Sequence, residues 1–407
     1  MKVQVVTLLG HKDHGKSTLI GSMMIRTGAV TKERIREAQK ISSNLGRQFE
    51  PGYILDSFAE EREGEMTIDT TRGNLVWKRK AFELIDVPGH EELIKNMISG
   101  ASYANIALLV VSAKEEEGIE PMTKRHLFIA RMLGIDKVVV AVNKIDLNGY
   151  DKARFNNIKI ELSTFIKRIG FDVGSFEFVP ISAYNGDNLT ARSKKTWWYT
   201  GSPLMDVIYR MSREGDARRG GALRLMVQGT VDGKGRLVAG RVLSGTVRRG
   251  SSVVMVPGGK GSAYRVREIL SNGRAVASAG TGASVALRLA GAPNGELRGR
   301  VISEAKNPPK AERRIRALVF VTDKLGGRLN VGINGLNVRC KSMKILGNID
   351  TTTGKAYSSR KADALNAVEA SLQLDQRVAI ESYARLKEMG RFVLYSQDKF
   401  AGIGIVE

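Results

Sequence analysis

The sequence predicts an α/β amino-terminal domain with a doubly wound, mostly parallel sheet, followed by two all-β barrel domains. In the first half of the 407-residue chain, apolar strands alternate with amphipathic helices. After about Met211 the pattern changes to short strands separated by turns. A charged, glycine-rich segment at 212–221 and the segment Asn307-Pro308-Pro309-Lys310 separate the parts. The predicted domains are therefore residues 1–211, 221–306 and 311–407.

The first strand and helix enclose a phosphate-binding motif. Apolar residues 3–9 predict a buried strand, and residues 18–26 predict a helix whose amino terminus faces an anion. Glycines between them let the backbone amides wrap around a triphosphate, while Lys16 can reach its β- and γ-phosphates and Ser17 can hold Mg²⁺. The strand–loop–helix context disfavours a chance glycine-rich turn. The predicted phosphate-binding residues are Gly10, His11, Asp13, His14, Gly15, Lys16, Ser17 and Thr18.

Two later segments predict recognition of the base. The β-branched run 138–142 indicates a central parallel strand, which delivers Asn143-Lys144-Ile145-Asp146 to the edge of the sheet where ligands bind. The Asp146 carboxylate can accept both the N1–H and the 2-amino hydrogens of guanine, and adenine offers no such pair. Asn143 would brace the loop and the Lys144 stem would cover the base. Ser182 and Ala183, which end another strand, complete the predicted guanine site.

A third group of residues is expected to perform hydrolysis. The strand 82–85 ends in Asp86-Val87-Pro88-Gly89-His90. Asp86 would hold Mg²⁺ through water, the Gly89 N–H would contact the γ-phosphate, and His90 would position or polarise the attacking water. Upstream, Thr67 is expected to be a second Mg²⁺ ligand on a mobile switch. Thr67 could also be an ordinary residue at the start of a strand, and His90 a neighbour of a helix cap, but the order of the motifs favours catalysis. The predicted metal ligands are thus Ser17, Thr67 and Asp86, and the predicted cofactors are GTP/GDP and Mg²⁺.

The second half shows regularly spaced strands, which suggest small antiparallel barrels. A good hairpin turn lies at 231–235, and a long turn is expected at 350–357 within a second strand-rich unit at 316–405. The strands predicted for the first barrel are 223–230, 240–243, 252–256, 263–270 and 284–289.

The charge of the chain is strongly positive, with a formal net charge of +22 and a sequence pI near 10.0. Basic stretches recur across the later domains rather than in a tail. A solvated surface of a thermophile, or one adapted for solubility, is one explanation. We favour the other, an RNA partner held through its phosphates.

Cysteine content and hydropathy indicate the cellular compartment in which the protein is expected to work. A single cysteine excludes an intramolecular disulfide and suits a reducing environment. Apolar runs have the length of strands, so we expect no signal peptide, no membrane span and a cytoplasmic protein. The four histidines show no zinc-ligand spacing, which leaves nucleotide-borne Mg²⁺ as the expected metal.

The motifs together resemble those of translational GTPases of the elongation factor 1-alpha class. The segments GHKDHGKST, DVPGH, NKID and ISA are similar to the guanine-nucleotide boxes of that family, and the helical insertion at 28–56 is similar to its long switch insertion. Later similarities lie at 178–188, at Trp197-Trp198-Tyr199, at 305–309 and at 390–392. The resemblance implies GTP hydrolysis timed by the ribosome and delivery of tRNA, or of a tRNA-mimicking protein, to the decoding site. It also implies a monomer, with a guanine nucleotide exchange factor as a further partner.

The chain departs from this family at several positions. Lys12 stands where a small apolar residue is usual, residues 64–66 replace Arg-Gly-Ile, and Gly282 replaces an Asn near the aminoacyl pocket. The third domain lacks the family's His-rich, Cys-containing strand, and only Cys340 lies in that neighbourhood. We therefore expect the protein to discriminate between aminoacylated and deacylated tRNA more weakly than an elongation factor does. The alternative from another class is the GTPase subunit of a sulfate adenylyltransferase, which residues 17–21 and 125–130 somewhat resemble. A nucleic-acid-binding module without hydrolysis is a third interpretation.

Overall fold

The structure is a computed structural model that describes residues 3–44, 48–55, 72–86, 106–117, 119–213, 221–231, 236–258 and 262–407. The chain forms two compact units. The first comprises Met1–Gly215 together with Asp350–Lys355, and the second comprises Asp216–Ile349 together with Ala356–Glu407.

The first unit is built on a six-stranded sheet with the order β2-β3-β1-β4-β5-β6. All neighbouring pairs are parallel except β2 with β3. The central strand β4 is buried along its whole length, as expected for a parallel strand covered on both faces. The predicted α/β domain with a mostly parallel sheet is thus confirmed. The strands are β1 Gln4–Leu9, β2 Arg72–Trp77, β3 Lys80–Asp86, β4 Ile106–Ser112, β5 Lys137–Asn143 and β6 Phe176–Pro180.

Helices accompany these strands and bury one face each. The helix Lys152–Arg168 begins after Asp151, whose side chain accepts hydrogen bonds from the N–H groups of Ala153 and Arg154 and so caps the amino terminus. In the described part of the chain, no helix combines the length and the apolar character needed to cross a bilayer. The helices are α1 Lys16–Arg26, α2 Lys32–Asn44, α3 Pro121–Met132, α4 Lys152–Arg168 and α5 Leu204–Arg213.

The first barrel closes through six strands in the order β10-β15-β7-β8-β14-β11, with β10 pairing back to β11. Val231 of β7 lies opposite Leu237 of β8, on either side of the predicted hairpin turn, of which residues 232–235 lie outside the described residues. The strands are β7 Arg224–Val231, β8 Leu237–Ser244, β9 Thr246–Arg248, β10 Ser252–Val256, β11 Ala263–Ser271, β12 Arg274–Ala275, β13 Ser278–Gly280, β14 Ser284–Ala290 and β15 Val301–Ser303.

The second barrel has the order β17-β21-β22-β16-β20-β18 and closes through β17 and β18. The long turn predicted at 350–357 is shorter, because Ala356 and Tyr357 form a strand that pairs with the end of β18. The predicted pair of all-β barrels is confirmed. The strands are β16 Lys310–Val321, β17 Leu329–Ile333, β18 Leu336–Ile349, β19 Ala356–Tyr357, β20 Ala367–Ile380, β21 Arg391–Ser396 and β22 Lys399–Val406.

A buried ion pair joins the two barrels within the second unit. Arg224 of β7 and Glu381, just after β20, are 2% and 6% exposed, and the Arg224 Nε donates to Glu381 Oε1 at 2.7 Å. Arg385 contacts the other carboxylate oxygen at 3.1 Å. An apolar cluster that includes Val301 and Met389 lies in the same unit. Charges removed from water this far require close partners, and Glu381 has two.

Candidate nucleotide-binding site

The loop between β1 and α1 has a backbone that only glycine can follow at two positions. Gly10 has φ +135°, and a Cβ atom there would lie 2.3 Å from the carbonyl oxygen of Val110. Gly15 has φ +82°, and a Cβ atom there would lie 2.7 Å from Asn143 Nδ2. Positive φ and close approach are the two reasons for which a phosphate-binding loop uses glycine. The loop therefore has the backbone that the motif predicted.

Lys16 lies at the centre of this loop. Its side chain is 4% exposed, and its Nζ donates to the carbonyl oxygens of Gly10 and His11 at 3.0 and 2.9 Å. Burial lowers the pKa of Lys16, an effect that the carboxylates of Asp86 and Asp13 oppose. Asp13, like Lys12, is exposed in the short turn Lys12–His14. The loop thus holds an ammonium group at the amino terminus of α1, where an anion is stabilised.

Ser17 and Asp86, two of the predicted metal ligands, are in contact with each other. The Ser17 hydroxyl donates to Asp86 Oδ2 at 3.0 Å. Asp86 Oδ1 is buried and has no hydrogen-bond partner among the described residues. Burial raises the pKa of Asp86, while Lys16 and Ser17 act in the opposite direction. A hydroxyl beside a carboxylate with an unused oxygen fits Mg²⁺, which prefers hard oxygen donors. The predicted second ligand Thr67, and the predicted catalytic groups Gly89 and His90, lie outside the described residues.

Two buried histidines fix the loop to its surroundings, His14 to strand β4 and His126 to helix α3. His14 Nδ1 donates to the carbonyl oxygen of Val110 at 3.1 Å, and His126 Nδ1 accepts from the Gly10 N–H at 3.1 Å. Desolvation lowers the pKa of His14 to about 4 and that of His126 to about 3. His126 was not among the predicted site residues. A polar residue within the apolar run of α3 was the only signal in the sequence.

Asn143 connects the phosphate end of the site to the base end. Its Nδ2 donates to the carbonyl oxygen of His14 at 2.9 Å, and its Oδ1 accepts from the Ala183 N–H at 2.9 Å. The side chain is 2% exposed. A single amide therefore links three segments that lie far apart in the sequence.

The other residues predicted for the base site lie close to Asn143 in the chain or through hydrogen bonds. Lys144 has φ +61° and ψ +27°, and its Nζ contacts both carboxylate oxygens of Glu117. Asp146 Oδ2 accepts from Asn185 Nδ2 at 3.3 Å. Ser182 is buried and its Oγ accepts from the Asn185 N–H at 3.1 Å. Glu117 and Asn185 were missed by sequence reasoning, because neither belongs to a motif and both reach the site through tertiary contacts.

One further acidic residue contacts the phosphate end. The Thr18 hydroxyl donates to Glu50 Oε1. The segment that carries Glu50 packs closely on α1, where a Cβ atom at Gly21 would lie 1.9 Å from the carbonyl oxygen of Pro51. This contact was also not predicted, because residue 50 carries no pattern of its own.

The assembled site has an ammonium and a helix amino terminus at one end and the Asp146 carboxylate at the other, joined by Asn143. In the described residues no separate cluster of His, Cys, Asp and Glu could hold a metal ion. This combination of fold and site defines the class of phosphate-loop nucleotide-binding proteins with a guanine-type base loop.

Comparison with known proteins gives the family. The elongation factor Tu GTP binding domain matches residues 1–214, and the GTP-eEF1A C-terminal domain-like family matches residues 324–407. Elongation factor 1-alpha of Aeropyrum pernix is 32% identical over 420 residues, which covers 98% of this chain and 95% of the relative. Elongation factor 1-alpha of Methanothermobacter thermautotrophicus is 30% identical over 412 residues, covering 98% and 96%. The chain belongs to the elongation factor 1-alpha family.

Solved structures align with the chain at lower identity. A structure of Sup35 complexed with GDP is 24% identical, covers 100% of this chain and 93% of that chain, and gives a TM-score of 0.42. The bacterial selenocysteine-specific elongation factor EF-Sec is 22% identical, covers 100% and 58%, and gives a TM-score of 0.44. The family assignment rests on the sequence relatives, which favour the elongation-factor interpretation over the sulfate-adenylyltransferase alternative.

Proposed function

We propose that this protein binds GTP and GDP with Mg²⁺, hydrolyses GTP to GDP and phosphate, and carries a tRNA or a tRNA-mimicking protein to the ribosome. The observation that carries the proposal is the Asn143 bridge, which joins the phosphate-binding loop to the base loop at hydrogen-bond distances of 2.9 Å on both sides. Membership of the elongation factor 1-alpha family supports the same conclusion.

The phosphate end would act mainly through charge and position. Lys16 would turn from the loop carbonyls to the β- and γ-phosphates, and Ser17 would hold the metal directly, with Asp86 holding it through water. Mg²⁺ bound there would neutralise charge on the phosphates. We further propose that Thr67 is the second metal ligand, that the Gly89 N–H contacts the γ-phosphate, and that His90 orients the attacking water. Positioned groups of this kind typically contribute about a hundredfold to ten-thousandfold in rate.

The base end would select guanine by hydrogen bonding. Asp146 would accept from the N1–H and the 2-amino group, and Asn185 would hold one oxygen of that carboxylate in place. Adenine cannot satisfy a carboxylate in this position, and sites built to hydrogen-bond a ligand reject the analogue that lacks the donors. ATP should therefore bind weakly.

Exposed arginines in the first barrel support an RNA partner. Five arginine side chains of this barrel are exposed and form no hydrogen bond or ion pair with the described residues, namely Arg248, Arg249, Arg265, Arg267 and Arg274. Unpaired guanidinium groups suit phosphate contacts better than a surface held together by its own ion pairs. Each neutralised phosphate should add a slope of roughly −0.7 to −0.9 to log affinity against log salt. Work at the ribosome would place the protein in the cytoplasm.

Ribosome sedimentation and GTP turnover test the proposal together. With a non-hydrolysable GTP analogue the protein should sediment with ribosomes in a salt-dependent manner, and with GDP it should not. Ribosomes should accelerate GTP hydrolysis. His90→Ala should keep nucleotide binding and lose most of this acceleration, whereas Lys16→Ala should lose binding. Failure of ribosomes both to bind the protein and to stimulate hydrolysis, together with co-purification of an adenylyltransferase subunit, would establish the metabolic alternative.

The cargo is tested by protection of the aminoacyl ester. Gly282 has φ +89° and open space around its Cβ position, so it offers no side chain to an aminoacyl group. A missing hydrogen bond costs about 0.5–1.5 kcal/mol. We expect weak protection of aminoacyl-tRNA against hydrolysis. Strong protection at low protein concentration would instead indicate an ordinary aminoacyl-tRNA carrier.

A further inference from the structure

Glu117 forms a two-point contact with a lysine of the base loop. Both of its carboxylate oxygens accept from Lys144 Nζ, at 2.9 and 2.7 Å, and each side chain is 23% exposed. Burial opposes ionisation of this carboxyl, but hydrogen bonds from Lys144 and Ser112 outweigh that effect and lower the pKa of Glu117. The ion pair is thus partly shielded from water and is maintained at neutral pH.

The loop that carries Glu117 is itself held in place. It leaves the same edge of the sheet as the base loop, because Ser112 of β4 pairs with Asn143 of the neighbouring β5. The Ala113 N–H donates to the carbonyl oxygen of Asn143 at 2.7 Å. From the other side, Arg154 of α4 donates to the carbonyl oxygens of Ala113 and Lys114 at 2.8 and 3.1 Å. Glu117 is therefore presented to Lys144 from a backbone anchored to two elements.

We propose that Glu117 is a positioning residue that holds the Lys144 side chain over the guanine base and so sets how long GTP and GDP stay bound. The inference rests on the proposed function. Lysine has a flexible four-carbon stem, and a stem that already lies in its bound position loses less freedom when the base arrives. The contact lies at the base end, so it should affect GTP and GDP alike.

The dissociation rate of a fluorescent GDP analogue is the direct measurement. Glu117→Gln keeps the size of the side chain and removes its charge. Solvent-exposed ion pairs are typically worth about a 1.4-fold to fivefold change in a rate or equilibrium. We expect dissociation of GDP and of GTP to accelerate by the same factor within this range, with the association rate and the preference for GTP over ATP unchanged. Glu117→Asp keeps the charge but shortens the reach, so it should give an intermediate rate.

A matched control is available one residue away. Glu116 is 82% exposed and pairs with Lys114 rather than with Lys144. Glu116→Gln removes the same charge from the same loop and should leave the dissociation rate at the wild-type value.

A double-mutant cycle separates positioning from a general structural effect. Lys144→Met keeps the stem and removes the ammonium. In that background Glu117→Gln should add no further acceleration, because the group through which it acts is gone. An equal acceleration in both backgrounds, or an unchanged rate in Glu117→Gln alone, overturns the inference. A wild-type protein that does not bind GDP contradicts the proposed function, which is a different result.

Discussion

His126 connects α3 to the phosphate-binding loop through one hydrogen bond. Its ring is fully buried, and its Nδ1 must be unprotonated to accept from the Gly10 N–H. Desolvation, with the neighbouring charges of Lys16, His11, His14 and Arg125, lowers its pKa to about 3. In the unfolded chain a histidine titrates near 6.5. The neutral ring therefore stabilises the fold fully above pH 6.5, and this stabilisation is lost as the pH falls toward the folded-state pKa.

His126→Asn should make stability less dependent on pH. Asparagine Oδ1 can replace Nδ1 as the acceptor, but it does not titrate. In the wild type each pH unit below 6.5 should cost about 1.4 kcal/mol per fully titrating buried histidine. His14 continues to titrate in the variant, so the slope should fall without vanishing. The pH dependence of stability is measured from denaturant midpoints between pH 7 and pH 5. Tryptophan fluorescence is a suitable signal, since all three tryptophans lie in the first unit. Identical slopes in the two proteins would show that His126 is not the titrating group.

The sequence points to candidate site residues more readily than to their partners. Gly10, Lys16, Asn143 and Asp146 carry motifs whose spacing a bound nucleotide would fix, so each can be proposed from the sequence alone. Glu117, Asn185, Glu50 and His126 act through contacts between segments up to 116 residues apart. No local pattern marks such a contact, because it depends on which strands are neighbours in the sheet.

Helix α1 contains a glycine at an interior position, although glycine has a low helix propensity. Gly21 lies inside the helix, where alanine normally stabilises by about 1 kcal/mol. A Cβ atom at this position would lie 1.9 Å from the carbonyl oxygen of Pro51. A backbone oxygen cannot move aside as a flexible side chain can.

Gly21→Ala should therefore destabilise the first unit. The expected cost is about 1–3 kcal/mol, the usual range for overpacking. The loss of stability is measured by tryptophan fluorescence during unfolding in denaturant. Gly28→Ala provides a comparison, because Gly28 follows the same helix and has no atom within 4 Å of its Cβ position. Alanine at position 28 would be strained only by the positive φ, so Gly28→Ala should lower the stability less than Gly21→Ala does. A midpoint that rises in Gly21→Ala would mean that residues 48–55 do not pack on this helix.

The strands that the sequence predicted individually differ from those of the structure by up to three residues at their ends. The short strands β9, β12, β13 and β15 were not predicted. The buried β-branched run predicted as 138–142 became Lys137–Asn143, and the strand predicted as 252–256 is unchanged. Periodicity and β-branching set these elements directly. The closure of each barrel, by β10 with β11 and by β17 with β18, could not be predicted because strand neighbours are chosen by long-range packing.

The stability of the second unit is expected to depend on the buried ion pair between Arg224 and Glu381. Glu381→Gln removes the negative partner of Arg224, which is 2% exposed and cannot regain water without unfolding. Breaking a buried pair by removing one partner costs about 3–5 kcal/mol. Calorimetry should show a lower unfolding temperature for the second unit, while the tryptophan transition of the first unit stays unchanged. Glu388→Gln, at an exposed position in the same segment, is the control. Equal stability of the two variants would contradict a structural role for the pair.

We expect the two halves of the nucleotide site to act together in choosing guanine. Calorimetric titration of the wild-type protein and of Asp146→Asn with GTP, ATP and xanthosine triphosphate tests it most directly. Asparagine presents a donor where the carboxylate presented an acceptor, so the variant should lose GTP and gain the xanthine nucleotide, whose carbonyl oxygen accepts at that position. Wild type should bind GTP and not ATP. ATP bound as tightly as GTP by the wild type, or unchanged GTP affinity in Asp146→Asn, would contradict the assignment.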